Sequence, residues 1–372
     1  MKKLRMAVVG TGRLGGFHAQ KLAARDDIEL IGVVDPSSAS RNRVASECRT
    51  EPLVDYSRLL GQVDGAVIAS PTTLHHRIAR DFLASGVHLL IEKPLCTNQT
   101  EAEELVDVAR QREVVLQVGH VERFNPAFHT VASQINDPKY IEAVRTSGFT
   151  FRSTDVGVVL DLMIHDIDLV LSMARGPLHK VDALGFSVLG GHEDVANARL
   201  EFECGCVATL SASRVSYEAT RRMHVWSAAA FAGIDFASRT ATLVRPSETL
   251  MRRQFDVDQL TAEQTEHHRV HFAKEHLPRE TQTFDAVDAL VLEQDDFVDS
   301  IRASRQPRVS GEAGRDALAV AEQILARIHT HCWNASIDGP AGPLALPRRH
   351  VIPAPHFSSA NISMPDLREK AG

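Results

Sequence analysis

The stretch DLMIHDIDL, residues 161–169, sets three aspartates and a histidine into otherwise apolar sequence. At about 100° per residue, a helix would stack Asp161, His165 and Asp168 along one narrow stripe flanked by Leu162 and Leu169 on one side and Ile164 and Leu171 on the other. Asp166 falls off that stripe. A histidine near neutral pKa suits removal of a proton from an alcohol, and a carboxylate beside it would hold the ring and stabilise the imidazolium. The same spacing also fits a core histidine with helix-capping aspartates, so it needs partners elsewhere in the chain.

Two other stretches supply them. Ile91-Glu92-Lys93-Pro94 closes an apolar run. A lysine there can hydrogen-bond a substrate hydroxyl, Glu92 could position that lysine or a nicotinamide ribose, and Pro94 biases Lys93 toward extended geometry and makes a cis bond conceivable. Gly10-Thr11-Gly12-Arg13-Leu14-Gly15 has the G-x-G-x-x-G spacing, directly after the apolar run LRMAVV and at the start of a helical pattern. Gly10 would allow the tight turn, Gly12 the approach of a pyrophosphate, and Gly15 close helix–strand packing, with the helix N-terminus adding free N–H groups. The next apolar run ends in Asp35, placed to accept hydrogen bonds from a ribose and to repel a 2′-phosphate. That favours NAD over NADP, with Ser37, Ser38 and Arg41 close enough to soften the preference. Ser70, Pro71 and Thr72, followed by His75, lie where a fourth-strand loop would border the cofactor.

The elements that must carry these residues follow from periodicity. Continuous apolar runs at 4–9, 29–34, 65–69, 87–91 and 113–118 predict buried strands, and the amphipathic segments between them predict helices. This βαβ series implies an α/β parallel doubly wound sheet over residues 1–120. Beyond it, helical patterns near 126–135 and 161–174 precede extended runs at 181–189, 194–203, 206–214, 222–230 and 240–246. That order predicts an α+β domain, residues 121–333, on a large and mostly antiparallel sheet, with a hairpin turn at Cys204-Gly205 and a helix over 312–333 packing back on the body. Prolines at 340, 343, 347, 353, 355 and 365 predict an irregular or disordered tail from 334 to 372.

Composition excludes several classes. The 372 residues are 44% hydrophobic and 24% charged, with a net charge of −7. An acidic chain lacks the surface for nucleic acid or a polybasic membrane anchor, and no apolar run reaches the length of a membrane span. Five cysteines without a zinc-type pair of pairs read as reduced thiols of a cytoplasmic protein. The histidine-rich stretch 266–276 reads as a solvated loop or helix face, and no metal site is expected.

The combination of Gly10-x-Gly12-x-x-Gly15, Glu92-Lys93-Pro94 and Asp161-x-x-x-His165 resembles the Gfo/Idh/MocA oxidoreductases over roughly residues 1–333. The resemblance implies an N-terminal Rossmann domain and a C-terminal domain whose open sheet makes homodimers or homotetramers. It also implies NAD(P)-dependent oxidation of a sugar or polyol hydroxyl by Lys93, Asp161 and His165. The stretches 119–126, 155–168 and 212–216 are similar to a branch of that family acting on the 3-hydroxyl of the sugar nucleotide UDP-N-acetylglucosamine. A nucleotide diphosphate on an acidic protein needs local polar and cationic groups, for which Arg123, Asn125, Arg152 and Arg214 are candidates beside His165. Inositol or a free aldose as substrate, or a non-catalytic NAD-binding regulator, remain as alternatives.

Overall fold

The computed structural model describes residues 2–151, 156–334 and 339–345. Six strands, β1 (Leu4–Val9), β2 (Ile28–Val34), β3 (Glu51–Leu53), β4 (Gly65–Ile68), β5 (His88–Glu92) and β6 (Leu116–Gly119), form a wholly parallel sheet in the order β3-β2-β1-β4-β5-β6. This is the doubly wound order whose ligand crevice lies at the carboxyl ends of the strands, where the order reverses between β1 and β4. Helices α1 (Arg13–Ala23), α2 (Ser38–Cys48), α3 (Thr72–Ala84) and α4 (Gln99–Gln111) make the crossovers. The strands read as continuous apolar runs because both faces are covered: Met6 and Val8 turn to one cluster, Ala7 and Val9 to the other.

After helix α5 (Pro126–Gln134) comes β7 (Tyr140–Thr146), then a π turn at Val159–Met163 that runs directly into α6 (Ile164–Met173). Strands β8 (Leu178–Phe186), β9 (Val195–Phe202), β10 (Val207–Ser213), β11 (Thr220–Trp226), β12 (Phe231–Asp235), β13 (Thr240–Val244) and, after short α7 (Glu248–Met251) and α8 (Ala262–His276), β14 (Arg279–Thr283) follow. Among the described residues they build an eight-stranded sheet, β14-β13-β12-β11-β7-β10-β9-β8, antiparallel except for the β7–β10 pair. The chain reverses between β9 and β10 at Gly205, whose φ of +80° suits a glycine. Alternating burial along β7, β9 and β10 leaves one sheet face packed on α5, α6 and α10 (Gly311–Thr330) and the other open.

Helix α9 (Ala289–Ala303), which the periodicity does not predict, returns to the first sheet, where Phe297 and Val298 join the core beneath α1. Lys21 and Arg25 of α1 and its end pair with Asp288 and Asp295. Of the tail expected to be irregular from 334, residues 335–338 and 346–372 lie outside the described residues; 339–345 has no regular structure, yet that segment is tied down. Trp333 donates to the Pro340 carbonyl, and Ser187 to that of Pro343, both at about 3 Å. No helix among the described residues is long and apolar enough to cross a membrane.

Candidate active site

The glycine turn joins β1 to α1. Gly10 takes φ +94°, and a Cβ there would stand 2.5 Å from the Ala69 carbonyl oxygen. A Cβ on Gly15 would lie 1.9 Å from the Gly10 carbonyl, whereas one on Gly12 would meet nothing within 4 Å. Two glycines are therefore demanded by the protein itself, and the third leaves an open approach. Helix α1 has no side-chain cap and no acid in its first turn, so its leading N–H groups keep their capacity for an anion. Arg13 and Leu14 are exposed at that end. Asp35 accepts from the backbone N–H groups of Thr11 and Ser37, each at 2.8 Å, which aims its carboxylate along the edge of the turn. Arg41 donates to the carbonyls of Asp35 and Pro36, a use that holds it beside the carboxylate. These features fit a dinucleotide.

The loop after β4 is clamped by His75. This residue is 1% exposed and its two ring nitrogens face the carbonyls of Ser70 at 2.8 Å and Pro94 at 3.0 Å. His75 thus ties the Ser70-Pro71-Thr72 loop to the segment after β5. It does so from inside the protein, as a support for that rim rather than a surface of it.

Lys93 follows β5, and the Lys93–Pro94 peptide is cis. Its Nζ reaches across 68 positions to the Asp161 carbonyl at 2.6 Å and the Asp161 carboxylate at 3.2 Å. The first sheet and the helix on the second are joined there. Asp161 does not hold His165, as the stripe predicted: the stripe assumed a continuous α-helix, and the wider π turn at Val159–Met163 lies under Asp161 and turns it to Lys93. His165, in the first turn of α6, keeps partial exposure. Its Nδ1 is buried without a partner among the described residues, leaving Nε2 toward solvent. Burial, then the Lys93 and Arg145 cations, hold the His165 pKa well below the ordinary imidazole value, so the ring is neutral at pH 7. The expected kinetic sign is an acid limb of kcat/KM below pH 6.5, the ordinary imidazole value. A pH–rate profile with the limb above that value contradicts this assignment.

Glu92 faces inward and is 7% exposed, bonded to His18 Nε2 at 2.8 Å. Gln294 Nε2 donates to both the His18 carbonyl and His18 Nδ1, which leaves the ring proton on Nε2 for Glu92. Its position in the sequence suggests a ribose or lysine contact for Glu92. The structure gives it an inner partner and a backbone N–H of Lys93 at 3.3 Å. Behind it, Glu293 is fully buried with both carboxylate oxygens unpartnered among the described residues. Burial, then the charge of Glu92, push its pKa well up, so it is a neutral acid. The unfolded chain ionises this group above about pH 4.3 while the folded chain keeps the proton, so Glu293 costs stability as pH rises. Glu293→Gln is expected to raise Tm at pH 8 by roughly 2–4 °C, the equivalent of about 1 kcal/mol in a medium-sized domain. The gain should shrink toward pH 5 in a thermal-shift series, and a gain that grows with acidity contradicts the assignment.

Of the expected substrate contacts, three are occupied by the protein. Arg123 donates to the carbonyls of Asp168 and Arg308 and faces the Asp168 carboxylate at 3.6 Å. Asn125 is the N-cap of α5, its side chain accepting from Ala127 N–H at 3.0 Å. Arg214 is buried on Asp194 at 2.7 Å and on the Val156 carbonyl at 2.7 Å, a brace for the approach to the π turn. These arginines read as ligand cations in the sequence because their acidic partners lie far away along the chain. Arg152 lies outside the described residues.

Two residues carry no signal strong enough to single them out in the sequence. Arg145 of β7 makes a buried bidentate pair with Asp166, at 3.0 and 2.8 Å, and bonds the partly buried Glu122 at 2.8 Å. That explains the acid off the stripe: Asp166 anchors α6 to the sheet. His120, just beyond β6, packs edge-on against His165 with ring centroids 6.2 Å apart. Its place after the last strand of a doubly wound sheet was the available signal.

Comparison with known proteins gives the family and the fold. Residues 4–120 match the family model for an oxidoreductase family with an NAD-binding Rossmann fold, and residues 127–230 match the GFO/IDH/MocA C-terminal domain. A UDP-N-acetylglucosamine 3-dehydrogenase of Acidithiobacillus ferrooxidans is 36% identical over 327 residues, 87% of this chain and 97% of that one. Its crystal structure superposes with a TM-score of 0.77, covering 88% of this chain and 98% of the other. The scyllo-inositol 2-dehydrogenase (NAD(+)) of Bacillus subtilis is 28% identical over 58% of this chain and 68% of its own. A levoglucosan dehydrogenase in complex with NADH shares the fold, with a TM-score of 0.75 at 14% identity over 88% of this chain and 97% of that one.

Proposed function

The chain belongs to the GFO/IDH/MocA family of NAD-dependent oxidoreductases acting on sugar CH–OH groups, and from that premise we propose that it oxidises the 3-hydroxyl of UDP-N-acetylglucosamine to a 3-keto sugar nucleotide. The observation that carries the catalytic part is the contact of Lys93 with Asp161, one turn before His165. The substrate part rests on similarity over nearly the whole chain to an enzyme of that name.

Gly10, Thr11, Gly12, Arg13, Leu14, Gly15 and Asp35 would hold NAD, with Ser70, Pro71, Thr72 and Lys93 along its rim and His75 and Glu92 behind. Bound there, it supplies a hydride acceptor. Asp161 keeps Lys93 aimed, and the ammonium donates to the substrate oxygen, making the alcohol more acidic. His165 receives the hydroxyl proton on Nε2. A positioned general base contributes typically about 10²–10⁴-fold, and the fixed lysine adds charge stabilisation at the same oxygen. The test is NADH production with UDP-N-acetylglucosamine beside myo-inositol and free N-acetylglucosamine. Turnover confined to the nucleotide sugar supports the reading, and preference for either other compound removes it.

A second copy would cover the open face of the eight-stranded sheet, giving a homodimer or homotetramer. Tyr140 stacks on Trp226 there with ring centroids 5.0 Å apart, and Phe231 tilts against Trp226 at 5.1 Å. The five free cysteines accord with work in a reducing cytoplasm.

A further inference from the structure

A general base that presents a lone pair on Nε2 carries its proton on Nδ1, and a buried N–H needs an acceptor. Asp161 is committed to Lys93. The polar group lying against His165 is His120, set at 89° to its ring. His120 is 1% exposed, and neither of its nitrogens has a hydrogen-bond partner among the described residues. Asp168 Oδ2, on α6, is also buried and unpartnered. Its other oxygen faces Arg123 at 3.6 Å. Burial keeps His120 neutral, and the first charge acting on it is that of Asp168, ahead of Lys93, Arg123 and Glu92. His165 itself is faced by Lys93, Arg145 and Arg221, all cations, and by His120.

Four buried polar atoms in one neighbourhood therefore lack partners among the described residues: His165 Nδ1, the two nitrogens of His120, and Asp168 Oδ2. Native proteins satisfy such atoms almost without exception, and an internal water making about three hydrogen bonds does so where side chains stop short of contact. We propose that His120 and Asp168, bridged to His165 by buried water, form an inner hydrogen-bond chain that fixes the catalytic imidazole in its Nδ1–H tautomer. The Nδ1–H of His165 donates inward, one nitrogen of His120 accepts, and its other N–H donates toward Asp168. No proton leaves the chain. The carboxylate supplies the negative charge that the imidazolium needs once substrate has given up its proton, since three cations otherwise surround it. His120 and Asp168 are thus positioning residues, and their role rests on the reading of His165 as general base.

The experiment has two readouts. In parent protein labelled with ¹⁵N-histidine at pH 8, the signal lost in His165→Asn is expected to report the Nδ1–H tautomer. An Nε2–H tautomer overturns the proposal. This readout needs neither substrate nor turnover, so it separates failure of the relay from failure of the proposed reaction. His120→Phe, which keeps the ring packing, and Asp168→Asn, which keeps the shape, are expected to lower kcat about 10–100-fold, the usual cost of removing an outer partner of a working imidazole. KM should change little. Asp168→Asn should also move the acid limb of the pH profile further down, because an imidazolium without the carboxylate is less stable. A folded variant with unchanged kcat and an unmoved limb overturns the proposal, and if neither variant folds, the parent spectrum decides it.

Discussion

His165→Asn and Lys93→Met are each expected to lower kcat with UDP-N-acetylglucosamine by about 10²–10⁴-fold, the range attributed to positioned proton transfer, while NAD binding persists. The two losses should differ in kind. Without the imidazole, the alcohol must give its proton to solvent base, so the residual rate of His165→Asn should climb with pH. Without the ammonium, the acceptor remains, so the residual rate should keep an acid limb, moved up in pH because a cation that held the His165 pKa down is gone. Lys93→Met also leaves the Asp161 carboxylate without its ammonium partner, in a side chain 23% exposed that water can still reach. The fold should therefore survive that change. Steady-state kinetics from pH 5 to 9, with NAD titrated calorimetrically, checks both variants, and unchanged turnover in either removes that residue from the mechanism.

Arg145→Met is expected to cost stability, by about 3–5 kcal/mol, the usual penalty when one partner of a buried ion pair is removed. Asp166 would be left as a buried carboxylate and Glu122 as a partly buried one, with no guanidinium between them. The guanidinium also lies 5.6 Å from the Phe236 ring centroid, so a cation–π interaction goes with it. Combining Arg145→Met with Asp166→Asn and Glu122→Gln should recover much of the stability, because the charges that needed the arginine are then gone. Urea unfolding of the single and triple variants measures this. A single variant as stable as the parent contradicts the view that this network anchors α6.

The first sheet was legible in the sequence because strands buried on both faces are continuous apolar runs, and because the glycine turn has a fixed spacing. Strand β3 escaped, being three residues with a proline. Helix α9 escaped because it buries Glu293, Gln294 and Ser300 alongside Phe297 and Val298, which blurs any apolar face. In the second sheet, β7, β12 and β14 gave no clear run, and the extended run at 222–230 is β11 carried past the chain reversal that precedes Phe231. Missing β7 had a consequence for the site: Arg145 lies on it, so the role of Asp166 could not be read.

At the site, residue types were readable and pairings were not. Lys93, Asp161 and His165 stand out by chemistry and motif, but the π turn that hands Asp161 to Lys93 leaves no periodic signature. Arg123 and Arg214 looked like cations for a ligand because Asp168 and Asp194 are near them only in space. A long-range ion pair has no local pattern, whereas a glycine turn does.

The most direct measurement uses UDP-N-acetylglucosamine carrying deuterium at carbon 3. Direct hydride transfer predicts that the deuterium appears in the reduced nicotinamide and that the reaction under single-turnover conditions slows by a primary isotope effect. Protium in the nicotinamide, with the label retained in the sugar, would contradict it.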